Sequence, residues 1–164
     1  MKVEHEKSPR ISAKNDRVDV VNKISIVHDE LRQSYRTREF ILRYPREPIF
    51  ATADEIKLLQ VVNNFVTNAV KFSPITEPVV INISENSDQV VISVQDKGIG
   101  IPDQLKPLIF ERQVGTGRIG LKGEKSLGLG LSISKNLVHL MNGKIWFESI
   151  EGQGSSFYFS LPKA

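Results

Sequence analysis

The 164-residue sequence predicts an α+β fold, a two-layer α/β sandwich whose mixed, mostly antiparallel sheet is covered on one face by three helices. Three observations predict it. Three segments carry apolar residues at helical spacing. Short runs that alternate apolar and polar residues come in pairs around turn residues. The two patterns interleave as helix, hairpin, helix, hairpin, long loop, helix, hairpin. Hairpins require antiparallel pairing, and three amphipathic helices suffice to cover one face of a single sheet.

The elements follow in order. The opening "MKVEHEKSPRISAKNDR" is polar and aperiodic, so residues 1–16 read as a linker or tail and 17–164 as the domain. "VDVVNKISIVHDELRQSYR" begins with a short strand and continues as a helix with Val21, Ile24, Val27 (or His28) and Leu31 at helical spacing. "EFILRY" and "PIFATA" are β-type runs separated by Pro45 and Pro48, which predicts a hairpin. Asp54 caps a long helix, "EIKLLQVVNNFVTNAVKF", that Ser73–Pro74 ends. Its apolar stripe is Leu58, Val62, Phe65, Ala69 and Phe72. "PVVINISE" and "QVVISVQD" make a hairpin around "NSD". From Lys97 to Leu127 the periodicity breaks across six glycines and two prolines. An irregular stretch of this length inside a domain is functional or disordered, and the flanking glycine motifs favour a ligand-gated lid. Helical spacing returns with Leu129, Ile133, Leu137 and Leu140, and "KIWFESI" and "SSFYFSLP" form a last hairpin across "EGQG".

Composition narrows the function. The net charge of +3 is too small to imply nucleic acid. The absence of cysteine excludes a disulfide framework, a thiolate zinc site and a thiol nucleophile. Three scattered histidines do not make a histidine-rich metal centre. No apolar run has the length of a bilayer span and no signal peptide opens the chain. A cytoplasmic domain is expected, with membrane anchoring left open for a parent protein.

Three constellations carry chemistry. Asn64 and Asn68 stand i, i+4 on the long helix with Lys71 one turn on, along one edge. Taken alone, the pair is more simply a solvated face or amides that bond back locally. The functional alternative is two hard oxygen ligands for Mg²⁺, with an ammonium beside the phosphates that the metal carries. In "QDKGIGIP", Asp96 precedes Gly98 and Gly100. A dinucleotide fingerprint fails because the third glycine and an immediate helix are missing, and a Walker A loop fails for lack of Gly-Lys-Ser/Thr. A carboxylate would repel phosphate. It suits a hydrogen-bond donor such as the adenine amine, with the glycines letting backbone approach the base. In "EKSLGLGLSISK", Gly128 and Gly130 open a helix whose free N–H groups and dipole attract anions. Ser126 suits an N-cap or a phosphate donor, and Arg118, Lys122 and Lys125 lie just upstream.

Taken in this order, the motifs resemble the catalytic and ATP-binding domain of sensor histidine kinases, in the ATPase superfamily shared with gyrase, Hsp90 and MutL. The similarity runs from about Arg17 to Pro162. "QVVNNFVTNAVKFSP" is similar to the N box, "QDKGIGIP" to the G1 box and "IFERQ" to the F box. "GEKSLGLGLSISKNLV" resembles the G2 box and "EGQGSSFYFSLP" the closing glycine motif. The resemblance implies the Bergerat ATP-binding fold, with ATP and Mg²⁺ as cofactors. It implies that Asn64 and Asn68 hold Mg²⁺ and Lys71 meets phosphate. It implies too that Asp96 binds adenine in a pocket shaped by Gly98, Gly100 and Ile101. Gly128, Leu129, Gly130 and Leu131 then line the phosphates, beside Ser126 as cap or phosphate donor, and the position of Arg118, Lys122 and Lys125 just upstream lets them close over the charge. The chain departs from the pattern where Gln113 replaces an aromatic of the F box, and where Ser126 and Leu127 replace a glycine and a small hydroxyl residue.

Hydrolysing members of the superfamily carry a glutamate four residues before the metal asparagine, and that position is Asn64 here. The resemblance therefore implies transfer to an imidazole, with Asn64 and Lys71 as the catalytic pair. His5 and His28 each echo a phosphoacceptor motif imperfectly and read as tail and surface helix, and His139 reads as structural. The expected partners are the dimerisation and histidine-phosphotransfer domain of a parent kinase and a response regulator, with no nucleic acid and no membrane contact, for a monomeric fragment unable to phosphorylate itself. A regulatory nucleotide-binding module and a serine kinase of the anti-sigma type are the alternatives.

Overall fold

The computed structural model describes residues 12–111 and 129–164. The order is β1 (Asp16–Asp19), α1 (Val20–Ser34), β2 (Phe40–Arg43), β3 (Phe50–Ala53), α2 (Glu55–Phe72), β4 (Val79–Glu85) and β5 (Gln89–Asp96). A short 3-10 turn (Lys106–Leu108), α3 (Leu129–Leu140), β6 (Lys144–Ile150) and β7 (Gly154–Pro162) follow. Local chemistry explains the helix limits. Asp19 caps α1 by accepting from the Asn22 N–H at 3.1 Å. Asp54 caps α2 by accepting from the Lys57 N–H at 3.2 Å, and a second oxygen accepts from the Lys14 N–H at 3.0 Å. Ser73 is extended, as a residue before proline must be, and α2 stops there.

Five strands form one sheet in the order β2-β4-β5-β7-β6, with only β2 and β4 parallel. The hairpins β4–β5 and β6–β7 are as the alternation predicts. The expected β2–β3 hairpin does not form. β2 pairs with β4, while β3 pairs with β1 in a separate two-stranded sheet that touches the main one through an Ala51–Lys163 bridge. Prolines 45 and 48 lack the N–H groups a returning ladder needs, so the segment between β2 and β3 carries the chain across to the other sheet.

The register builds the core in rows. Val90 faces Leu161; Ile92, Phe159 and Ile145 align; Val94, Phe157 and Phe147 align. Phe65 of α2 packs on Phe157 and Phe159 with ring centroids 5.6 and 5.7 Å away. The predicted α2 stripe is buried throughout. The α3 stripe needs correction. Ile133 is 40% exposed, and the buried face is Leu131, Ser134, Leu137 and Val138. This helix is apolar on two sides, so the spacing alone does not choose which side meets the sheet. Within the expected lid, Lys97–Glu111 is ordered as turns, and Phe110 stands edge-on to Phe147 at 5.5 Å. The rest of that stretch, with Gln113, Arg118, Lys122, Lys125, Ser126 and Leu127, lies outside the described residues, as do Gly128 and His5.

Candidate functional site

The inward rows of the sheet are apolar until the last. There the register aligns Asp96 with Ser155 and Ser155 with Ser149, so one cross-strand row carries a carboxylate and two hydroxyls. Asp96 is 4% exposed, and its Oδ1 accepts from the Gly98 N–H at 2.8 Å. A carboxylate can accept about four hydrogen bonds, so this contact does not exhaust it. Beyond Asp96 the loop runs against the end of α2. The Ile99 N–H donates to the Phe72 carbonyl at 3.0 Å, and a Cβ on Gly98 would stand 2.0 Å from that oxygen. Gly100 adopts φ 69°, a conformation that favours glycine, with the Ile150 carbonyl against it. Ile101 is fully buried.

On α2, Asn64, Asn68 and Lys71 share one edge, each half-buried. The Asn64 amide nitrogen donates to the Gly130 carbonyl at 3.2 Å and to Ser134 Oγ at 3.1 Å, which ties α2 to the first two turns of α3. With both N–H groups so engaged, Oδ1 is the atom Asn64 can offer a cation. Asn68 Nδ2 is buried with no partner among the described residues. Such a group costs roughly 1–3 kcal/mol unless a ligand meets it. A phosphate oxygen could accept from it, or the amide, rotated by half a turn, could present Oδ1 to a cation. The donor set therefore fits a hard divalent ion carried by phosphates. Leu129 and Gly130 lie in the opening turn of α3, and Leu131 is buried beneath it.

The structure thus brings together Asp96, Gly98, Gly100 and Ile101 at one end of α2, and Asn64 with Leu129, Gly130 and Leu131 on its edge. His28 is not poised as an acceptor: its Nε2–H donates to the Phe40 carbonyl at 2.6 Å. His139 is exposed.

Sequence reasoning missed Arg38. It is 7% exposed, and its guanidinium donates to Ser73 Oγ, Ser73 O and Pro74 O at 2.9–3.0 Å, clamping the C-terminus of α2. Cations suit that end of a helix. Burial pulls this guanidinium below the usual arginine range, while the negative charge of Asp96 opposes the shift and Tyr35 adds to that opposition. Parity was the available signal, since Arg38 stands two residues before buried Phe40. Ser149 was missed too, although it continues the inward positions Ile145 and Phe147.

The family described as histidine kinase-, DNA gyrase B- and HSP90-like ATPase matches residues 53–164. The chain is 37% identical over 144 residues to the sensor protein kinase WalK of Staphylococcus saprophyticus, covering 87% of this chain and 23% of that protein. It is 35% identical to its counterpart in Staphylococcus epidermidis over the same length. The chain therefore spans about a quarter of the length of these curated relatives. Among solved structures, the catalytic domain of histidine kinase ThkA superposes with a TM-score of 0.78 at 28% identity, over 91% of this chain and 95% of that one. Full-length ShkA in complex with AMPPNP superposes with a TM-score of 0.76 at 29% identity, over 94% of this chain and 32% of that one. Among the described residues no helix is long and apolar enough to cross a membrane. The chain belongs to the histidine kinase-, DNA gyrase B- and HSP90-like ATPase family, as an ATP-binding domain of the sensor histidine kinase type.

Proposed function

We propose that this domain binds Mg-ATP and donates the γ-phosphoryl group to a histidine on the dimerisation domain of a two-component sensor kinase. The observation that carries the reading is the polar row ending at Asp96, set one helix edge away from Asn64 and Asn68. Asp96 accepts from the adenine amine. Asn64 and Asn68 hold Mg²⁺ through their amide oxygens, Lys71 meets phosphate, and the first turn of α3 supplies N–H groups. When bound, the metal neutralises charge on the phosphates. An incoming imidazole nitrogen forms the P–N bond as the P–O bond to the β-phosphate breaks. The electron pair leaves on ADP, and the imidazole proton passes to solvent. Positioning and charge neutralisation are what this domain contributes. With Asn64 where hydrolysing relatives carry a glutamate, water has no general base there, which favours transfer.

Calorimetric titration with ADP and Mg-ATP tests the reading. Heats that saturate are expected, and silence at millimolar nucleotide would overturn it. Adding a separate dimerisation domain distinguishes a kinase from a regulatory module, since a module binds nucleotide and transfers nothing.

A further inference from the structure

We propose that Ser149 is a positioning residue for the base-recognition loop, acting through Ile101 and Ser155 without touching the nucleotide. The inference rests on the reading of Asp96 as the adenine acceptor and deepens it. Ser149 Oγ donates to the Gly154 carbonyl at 3.1 Å. It accepts from the Ile101 N–H at 2.8 Å and lies 2.8 Å from Ser155 Oγ. A hydroxyl has one proton and two lone pairs. With the proton on Gly154 O, Ser155 must donate, and the hydroxyl is saturated by these three contacts. Ser155 pairs in register with Asp96, so the same oxygen holds both the strand beside the carboxylate and the loop beyond it.

The loop is gripped from two sides. On one, the Ile99 N–H bonds the Phe72 carbonyl at the end of α2. On the other, the Gly152 N–H bonds the Ile99 carbonyl at 2.8 Å, and Lys106 Nζ bonds the Ser149 carbonyl at 2.8 Å. Backbone makes the two Ile99 contacts, so no side-chain change removes them, and the Lys106 ammonium supplies the third. The Ser149 hydroxyl is a link that a single-atom deletion cuts. Ile101 is fully buried, so its N–H would have no water to replace that acceptor.

The test is a cycle between Ser149 and the exocyclic amine, run on the 164-residue chain. Calorimetry compares ADP with purine riboside diphosphate, which lacks the amine. Ser149→Ala is expected to weaken ADP by roughly tenfold, the consequence of a buried N–H left unsatisfied. Purine riboside diphosphate should weaken less, so the preference for ADP shrinks, and Ser149→Thr should restore it. Hydrogen exchange at the Ile101 amide should quicken in the alanine variant. Equal weakening of both diphosphates, no weakening, or unchanged Ile101 exchange would overturn the proposal. If the alanine variant does not fold, Ser149→Cys replaces it, a similar size with a poorer acceptor, under the same readouts. A wild-type chain indifferent to the amine would strike the adenine reading of Asp96, while Ile101 exchange would still judge the pin.

Discussion

A methyl group added to Gly98 would stand 2.0 Å from the Phe72 carbonyl oxygen, and one on Gly100 would stand 2.3 Å from that of Ile150. Added to Gly130 at the other end of the site, it would meet Asn64 Cγ at 3.9 Å, an ordinary contact. Both glycine motifs look alike in the sequence, yet they answer different demands. At the Asp96 end the protein's own backbones need the room. The loop there is solid, pressed between the end of α2 and the β6–β7 turn. At the Gly130 end the described packing does not require glycine, so the missing side chain leaves space that a ligand can take.

Five substitutions probe this contrast, from the largest expected effect to the smallest. Gly98→Ala forces overlap with fixed backbone and should lower stability by about 3 kcal/mol in urea unfolding. A loss below about 1 kcal/mol would show that the loop yields, and the solid-end description would fail. Asp96→Asn should weaken metal-free ADP roughly 30-fold, as expected for a hydrogen bond to a charged group. Asn68→Ala should leave metal-free ADP unchanged and lose only the gain from Mg²⁺. Equal losses would mean the two ends are wrongly assigned.

Asp54→Ala removes the cap at the opposite end of α2 and should cost about 1 kcal/mol without altering either end's ligand. Asp54 is held below the usual carboxylate range, first by the Lys14 N–H and then by the Lys57 contacts, against the cost of burial. A group whose pKa falls on folding stabilises above its unfolded value and loses that contribution as pH drops through the folded one. The stability gap between wild type and Asp54→Ala should therefore narrow as pH falls below about 4. Gly130→Ala should raise stability by up to about 1 kcal/mol through helix propensity, while reducing Mg-ATP affinity several-fold. A destabilisation as large as that of Gly98→Ala would erase the contrast.

Much of the fold was legible because its periods are clean. The stripe from Leu58 to Phe72 repeats at helical spacing and is buried throughout, and burial alternates residue by residue along β6 and most of β4. The β2–β3 error came from reading prolines as a turn, when their missing donors keep the strands apart. In α3 both faces are apolar, so Ile133 was assigned inward and lies outward. The site's single-residue chemistry was harder to see. Asp96 announces itself beside two glycines. Arg38 and Ser149 have no motif, and only inward parity in an otherwise apolar row points to them. Counting strand positions from the buried residues outward, and stopping at the first polar one, would have found Ser149.

The Phe72 carbonyl belongs to the helix that also bears Asn64 and Asn68, and it is the point to which Ile99 is fastened. One rod therefore meters the span from Asn64 and Asn68, the proposed cation ligands, to the loop at Ile99 that we propose meets the base. Asn68 and Phe72 are four residues apart, a rise of about 6 Å along the axis. Inserting a single residue between them would swing the amides by roughly 100° as well as lengthening the span. Evolution can adjust this ruler by exchanging side chains along it, but a change in its length would misalign both ends at once.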